Sequence, residues 1–206
     1  IVLAPHYSVM SVGSYIKRAR EAADAEGIRM AFVESYHLHP KLIEAIAARL
    51  RSALARFGGP EGQRRVKVLF SAHSLPERIL SMGDPYVDQL LATSRAAAEA
   101  AGVGDWEFTW QSAGRTNEPW LGPDILDTLD RHGAKAIFFV NGFRVRQNPD
   151  LLRLIDERGH AVGNHSYDHI VLRGEPEDVV DRQLEDVQDL VEQTIGKRPR
   201  FFRPPN

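Results

Sequence analysis

Cysteine is absent from this chain of 206 residues, and its absence excludes three kinds of site. A disulfide framework, a thiolate metal site and a cysteine nucleophile are all ruled out, while the compartment is left open. No apolar run approaches the length of a membrane span, so no transmembrane segment is predicted. The opening "IVLAP" has no basic leader, no cleavage site and no starting Met. We therefore expect a cytoplasmic location and a chain that is a fragment or an excised segment.

A strong charge of either sign is also missing. The formal net charge is -2 and the pI is about 6.5. Nothing in this balance indicates a nucleic-acid footprint or a polybasic membrane anchor. Hydrophobic residues make up 43% of the chain, which is ordinary for a soluble globular protein. The length suits one large α/β domain or two small ones with a real core.

Strand-like and helix-like segments alternate along the chain. The predicted strands are 1–4, 28–35, 66–73, 106–114, 134–142, 160–166 and a last one beginning near 198. The predicted helices are 11–27, 39–59, 84–102, 122–133, 148–159 and 175–196, with Asn148 as an N-cap and 59–65 as a polar loop. Alternation of this kind predicts an α/β fold of βα units with a mainly parallel sheet.

Polar residues follow several of the predicted strands. They are His6, His73, Gln111, Asn141 and His165. Functional groups gather at the carboxyl ends of parallel strands, so these residues are the first candidates for a site.

The first candidate site centres on His73 in "FSAHSLPE". A histidine at a strand end can bind a metal ion or transfer protons. The alternative is a polar residue that merely hydrogen-bonds to a loop, and position alone does not separate the two.

The wider string "SAHSLPERILSMGDPYVDQLLATSRAAAEAAG", followed by "WEFTWQSAGRTNEPWLGPDI", resembles the ferrochelatase family, most closely its bacterial coproporphyrin type. The resemblance covers residues 1–124 and implies a chelatase-like, flavodoxin-like α/β segment. It implies a lyase of heme biosynthesis that inserts Fe²⁺ into a porphyrin.

By the same resemblance His73 is the catalytic residue, which binds the incoming metal or accepts pyrrole protons. The residues that match positions lining or supporting the porphyrin cleft are Tyr7, Trp110, Gln111, Ser112, Arg115 and Trp120. Packing is an equal alternative for the two tryptophans. The glutamate that the family pairs with its histidine has no counterpart in the sequence, so impaired activity is expected.

The second candidate site is "GNHSYDH", in which His165 and His169 have H-x-x-x-H spacing. In a helix or a tight turn both rings could face one ion, but a catalytic site needs a third ligand, usually a carboxylate. Two loop histidines that bond to the backbone are the alternative.

The string "LDTLDRHGAKAIFFVNG", with "NPDLLRLIDERGHAVGNHSYDH" and "FFRPPN", resembles NodB-type polysaccharide deacetylases. The resemblance covers residues 125–206 and implies part of a (β/α) barrel-like fold that hydrolyses C–N bonds of N-acetylated saccharides. It implies that His165 and His169 bind Zn²⁺ or a similar ion, with Asn164, Asp168 and Arg203 as supporting motif residues. The family's paired-aspartate motif is absent, because "RTNEPWLGP" occupies its place.

Three hypotheses follow: an impaired ferrochelatase-like protein, a metal-dependent deacetylase without its aspartates, and a recombined or designed scaffold without catalysis. The two segments, 1–124 and 125–206, join within 122–128 and could also form one merged α/β domain. In that case Glu77 or Glu118 could supply a carboxylate to the histidine pair.

Overall fold

The computed structural model describes residues 4–114 and 116–205. Predictions that fall on residues 1–3, including most of the first strand, lie outside the described residues. The chain forms two compact units, Ile1–Ile125 and Leu126–Asn206. Within the described ranges, no helix is both long enough and apolar enough to cross a membrane.

The first unit contains five helices, a 3₁₀ turn (Ala55–Phe57) and two strands. The helices are α1 (Val12–Ala25), α2 (Pro40–Leu54), α3 (Gly59–Arg64), α4 (Arg78–Ser81) and α5 (Tyr86–Ala101). The strands are β1 (Val68–His73) and β2 (Trp106–Gln111), which pair in parallel. Helix α6 (Ile125–Arg131) begins at the end of this unit.

The second unit continues with three helices and two strands. The helices are α7 (Gly142–Gln147), α8 (Pro149–Glu157) and α9 (Glu177–Ile195). The strands are β3 (Ile137–Val140) and β4 (Ala161–Asn164), which are also parallel. The predicted α/β class with parallel pairing is therefore confirmed, and each sheet contains two strands within the described residues.

Each unit has its own hydrophobic core. The core of the first is built from Ile79, Leu90, Trp110 and Leu121. The core of the second is built from Val145, Leu152, Val187 and Val191. Burial of one large apolar side chain contributes about 1.5–3 kcal/mol relative to exposure, so these clusters hold the helices against the strands.

The strands of the second unit approach closely at a glycine. A Cβ added to Gly163 would lie 2.5 Å from the Phe139 ring of the neighbouring strand. The absent side chain lets the aromatic ring pack over β4, which explains a glycine inside a strand.

Two local predictions were wrong, and one helix was not foreseen. Residues 28–35 form no strand, because in the described part of the chain no neighbouring strand pairs with them. The loop predicted at 59–65 contains α3, and α7 was not predicted at all. The prediction of Asn148 as the N-cap of α8 is confirmed in position, although its side chain makes no cap bond and turns back toward the Arg144 carbonyl.

The last predicted strand is reduced to one bridge. Phe202 pairs in parallel with Asn164, and no longer ladder forms in the described chain. Two backbone bonds make this bridge, from Asn164 N to the Phe201 carbonyl at 2.8 Å and from Arg203 N to the Asn164 carbonyl at 3.0 Å.

Candidate functional site

His73 and Gln111 end neighbouring strands side by side. The parallel register pairs the two residues directly, and both are exposed. The Tyr86 hydroxyl donates to the His73 carbonyl at 3.2 Å, which ties the strand end to α5. The imidazole is therefore presented at the carboxyl edge of the sheet, where a ligand can reach it.

Hydrogen bonds join the segment that follows β1 to the segment that follows β2. Ser74 is fully buried, and its backbone N donates to the Gln111 carbonyl at 2.8 Å. Its hydroxyl donates to the Leu121 carbonyl at 2.9 Å, and Leu121 N donates to the Leu75 carbonyl at 2.9 Å. Ser112 opens the returning loop with a positive φ of 59°. These bonds hold the surroundings of His73 in one arrangement.

The two tryptophans occupy different environments. Trp110 is 4% exposed and packs edge-on against Phe108, with ring centroids 4.9 Å apart. The packing alternative therefore describes Trp110, which supports the site from below. Trp120 is half-buried, and its indole N–H donates to the Thr116 hydroxyl at 2.8 Å. A Cβ on Gly114 would lie 2.3 Å from the Trp120 ring, so the loop requires glycine there.

Tyr7 is positioned by α5. Its backbone N donates to Gln89 Oε1 at 2.7 Å, and its hydroxyl lies close to Gly13 at the start of α1. Asp84 Oδ2 accepts from the Ser8 hydroxyl at 2.9 Å and from Val9 N at 2.7 Å. Sequence reasoning missed these clamping roles of Asp84 and Gln89. Spacing carries no signal for them, because their partners lie more than 70 positions away in the chain.

A second histidine, His6, lies beside this clamp. Its Nε2 is 2.9 Å from the Thr93 hydroxyl, and the Thr93 hydroxyl is within 2.9 Å of the His37 carbonyl. Burial, reinforced by the charge of His37, lowers the pKa of His6 to about 4. The ring is therefore neutral near pH 7 and acts as a hydrogen-bonding group.

A complete metal-ligand set is not formed around His73. Across residues 4–114 and 116–205, no three histidine, aspartate or glutamate side chains are grouped to hold an ion. The carboxylate of Glu118 pairs with Arg78. Arg115, predicted to support the cleft, lies outside the described residues.

The second candidate site brings its two histidines together. His165 Nε2 and His169 Nε2 are 3.1 Å apart, and the ring planes meet at 80°. The predicted tight turn is present, since Ser166 and His169 adopt positive φ values of 61° and 59°. His169 is exposed and His165 is half-buried.

Backbone groups orient the His165 ring. Its Nδ1 lies 2.7 Å from the Arg203 carbonyl, an acceptor that requires Nδ1 to carry the proton. The Nε2 lone pair of His165 is then free for a ligand. His165 N donates to the Val140 carbonyl at 3.0 Å, and Asn141 Nδ2 donates to the His165 carbonyl at 2.8 Å. His165 is therefore held by the end of β3 on one side and by the segment around Arg203 on the other.

The supporting motif residues shape the turn. Asn164 is buried, accepts from Ser166 N at 2.9 Å and donates to the Leu184 carbonyl at 2.8 Å. Asp168 and Gln183 exchange two bonds: Asp168 N donates to Gln183 Oε1 at 2.8 Å, and Gln183 Nε2 donates to Asp168 Oδ2 at 2.9 Å. The Gln183 contribution from α9 was not foreseen from the sequence.

The histidine pair fits a tetrahedral ion as two of its four ligands. Two imidazole nitrogens bound to Zn²⁺ at about 2.0–2.1 Å are separated by about 3.3 Å in tetrahedral geometry. The observed separation of 3.1 Å is close to that value. A third ligand is not found among the residues that the structure describes. The donor set therefore fits a zinc-type ion but is incomplete.

A groove of 280 Å³ lies at the amino end of β4, the end away from His165, and belongs to neither candidate site. His160, Arg198 and Phe201 are among its lining residues. His160 is buried, its Nε2 has no hydrogen-bond partner in the described chain, and burial lowers its pKa.

Comparison with known families identifies two matches in one chain. The ferrochelatase family model matches residues 1–144, and the polysaccharide deacetylase model matches residues 117–206. The matches overlap over 117–144, so the predicted boundary at 124 and 125 stays a prediction. The resemblances to both families are confirmed, and the two matches in one chain support a chimera.

Curated relatives match the first part. A ferrochelatase of Herpetosiphon aurantiacus is 45% identical over 142 residues, covering 68% of this chain and 46% of that protein. A coproporphyrin III ferrochelatase of Anoxybacillus flavithermus is 48% identical over 145 residues, with the same coverage of 68% and 46%. The chain thus spans about half the length of the curated relatives it matches.

Solved structures also match part of the chain. The peptidoglycan deacetylase PdaC of Bacillus subtilis is 38% identical over 41% of this chain and 45% of its own, with a TM-score of 0.39.

Proposed function

The chain belongs to the ferrochelatase family, and we propose that it binds a porphyrin and a divalent metal substrate at the strand ends that carry His73. The observation that carries the proposal is the family match over residues 1–144 together with the exposed His73 beside Gln111. The porphyrin class is a coproporphyrin, because relatives named coproporphyrin III ferrochelatases share up to 48% identity with the matched segment. Fe²⁺ is the proposed metal substrate.

The chemistry of metal insertion suits a neutral imidazole. A free porphyrin must lose two pyrrole N–H protons as the dication enters, so the net charge of the product does not change. The His73 ring can accept one of these protons or bind the entering ion briefly. Its exposure at the sheet edge supports either role.

Insertion itself is proposed to be slow. The family glutamate has no counterpart in the sequence, and His73 belongs to no group of three possible metal ligands in the described residues. Loss of one proton-transfer partner costs about 10²–10⁴-fold in rate. We therefore propose porphyrin binding as the retained step and insertion as the impaired one.

A Soret titration tests the proposal. Coproporphyrin III added to the protein is expected to give a saturable spectral change, and His73→Ala is expected to weaken binding at least several-fold. His39→Asn is the matched control, since His39 is an exposed histidine of the same unit at a helix N-cap, where asparagine also caps. Absence of a spectral change, or equal affinity in His73→Ala, contradicts the proposal.

Metal-dependent deacetylation of N-acetylated saccharides is the second candidate function. The match over residues 117–206 and the 3.1 Å separation of the His165 and His169 nitrogens favour it. An ion held there would polarise an amide carbonyl, which is the Lewis-acid part of the reaction. The paired aspartates that should provide the third ligand and the base are missing from the sequence.

Two measurements separate metal binding from catalysis. Calorimetric titration with Zn²⁺ is expected to show binding that His165→Ala removes. Incubation with chitooligosaccharides is expected to release little or no acetate. Metal binding without acetate release, together with porphyrin binding without insertion, would identify the chain as a scaffold without catalysis.

The cytoplasmic location predicted from the sequence is part of the same proposal. Fractionation of expressing cells tests it, and recovery of the chain outside the cytoplasm would contradict it.

A further inference from the structure

The histidine pair brings two Nε2 nitrogens together, with His169 exposed and His165 half-buried. Both Nε2 atoms meet at 3.1 Å, and the Arg203 carbonyl leaves the His165 Nε2 as an acceptor. His169 must then donate its Nε2 proton to His165 while no ion is present.

The pair cannot complete a site from the residues that the structure describes. Zinc-type ions require four ligands in structural sites, and no third histidine or carboxylate is grouped with the pair in residues 4–114 and 116–205. The nearest carboxylate in sequence, that of Asp168, is engaged by Gln183 Nε2 at 2.9 Å. Two coordination positions therefore stay open on an ion held by His165 and His169.

We propose that a second copy of this chain fills those two positions, so that one Zn²⁺ ion joins two chains through four imidazoles. Two such pairs facing each other supply the four nitrogen ligands of a closed tetrahedral site. The arrangement has two-fold symmetry, which is the commonest symmetry of protein dimers. His169 is exposed and His165 half-buried, so the open side of the pair is reachable from outside the chain. The inference needs neither porphyrin binding nor deacetylation.

The dependence on zinc concentration distinguishes this site from a one-chain site. With about half an equivalent of Zn²⁺ per chain, each ion can find two pairs, and the dimer fraction is greatest. Excess Zn²⁺ loads every pair with its own ion and lowers the dimer fraction again. A site within one chain gives a one-to-one stoichiometry and no such maximum.

Sedimentation velocity across a zinc titration tests the proposal on the full chain. The mass is expected to rise from that of the 23.1 kDa chain toward twice this value near half an equivalent, then to fall in excess zinc. Chelation with EDTA is expected to restore the monomer. Calorimetry in parallel is expected to give one ion per two chains at the low-zinc end of the titration.

Variants connect the effect to the pair. His169→Asn removes the imidazole while asparagine tolerates the positive φ of 59° at this position, so the turn is retained. His132→Asn is the matched control, because His132 is an exposed histidine of the same unit. The first variant is expected to abolish zinc-dependent association and the second to leave it unchanged, with circular dichroism confirming that both fold.

Three outcomes overturn the proposal. They are an unchanged mass at every zinc concentration, a one-to-one stoichiometry with no dimer, and a zinc-dependent dimer that survives His169→Asn. A one-to-one stoichiometry that depends on His165 would still support metal binding by the second candidate function, so the two failures are distinguishable.

Discussion

Asp84 connects the segment that carries Tyr7 to the start of α5. Its carboxylate accepts from the Ser8 hydroxyl and Val9 N through Oδ2, and from Tyr86 N at 3.0 Å through Oδ1. Ser8 is fully buried, so its hydroxyl has no access to water as a replacement partner. Asp84 thereby acts as a positioning residue for the proposed porphyrin cleft.

Asp84→Ala is expected to lower the free energy of unfolding of the first unit by about 2–3 kcal/mol. A hydrogen bond to a charged group contributes about 1.5–3 kcal/mol, and the donors that lose Asp84 find only partial replacement. Urea denaturation measures the loss, and a Soret titration should show weaker coproporphyrin binding. Asp88→Ala is the control, since Asp88 is an exposed aspartate nearby, in the first turn of α5. Equal stability of the two variants would contradict the clamping role.

His6 couples stability to pH. Its folded pKa of about 4 lies below the unfolded value of about 6.5. Between these values the unfolded chain binds more protons than the folded one, so the free energy of unfolding falls as the pH is lowered from about 6.5 to about 4.

His6→Gln keeps a neutral side-chain donor near Thr93 and is expected to flatten this pH dependence. Denaturation at a series of pH values measures the slope. His160, whose pKa is also lowered by burial, leaves a residual slope in the variant. A variant with the full slope of the parent chain would show that His6 does not carry the effect.

At the scale of elements, the loop after β2 depends on close packing of Trp120 over Gly114. A methyl group at position 114 would lie 2.3 Å from the indole ring, which is far inside van der Waals contact. The ring must then move, although its N–H bond to Thr116 holds it in place.

Gly114→Ala is expected to cost about 1–3 kcal/mol, as overpacking does in other tight sites, and to weaken porphyrin binding. Tryptophan fluorescence and a Soret titration measure the two effects. Gly104→Ala is the matched control in the same unit, because nothing lies within 4 Å of its added Cβ and its φ is not positive. Gly104→Ala is expected to be neutral or slightly stabilising, because alanine lowers the entropy of the unfolded chain. Equal stability of the two variants would contradict displacement of the Trp120 ring.

At the scale of the whole molecule, the chain contains two segments that match two families, and a different ligand is proposed for each. Residues 1–144 match the ferrochelatase model and residues 117–206 the deacetylase model. A bound ligand stabilises those regions whose local unfolding would remove its binding site. At a free ligand concentration of 100 times the dissociation constant, the stabilisation is about 2.7 kcal/mol.

Amide hydrogen exchange is therefore expected to separate the two ligands. Coproporphyrin should raise protection around His73 and the 111–121 segment, whereas Zn²⁺ should raise it around 164–169 and 201–203. Protection by Zn²⁺ confined to the first unit would contradict the assignment of the histidine pair as its ligands.

Much of the architecture could be predicted from the sequence, because strongly patterned segments carry their own signals. The strand around "VKVLFSAH" and the helices at Pro40 and Tyr86 were predicted near their observed bounds. Residues 28–35 have a strand-like composition but pair with no strand in the described chain, since pairing depends on a neighbour and not on composition.

The sequence by itself determined the resemblance to two families and the absence of cysteine chemistry, because both depend only on which residues are present. Tertiary structure decided which of these residues meet. Parallel register brings His73 beside Gln111, and two left-handed residues turn His165 and His169 toward each other. The clamps by Asp84 and Gln183 likewise arise from segments distant in sequence, which only folding brings within hydrogen-bond distance.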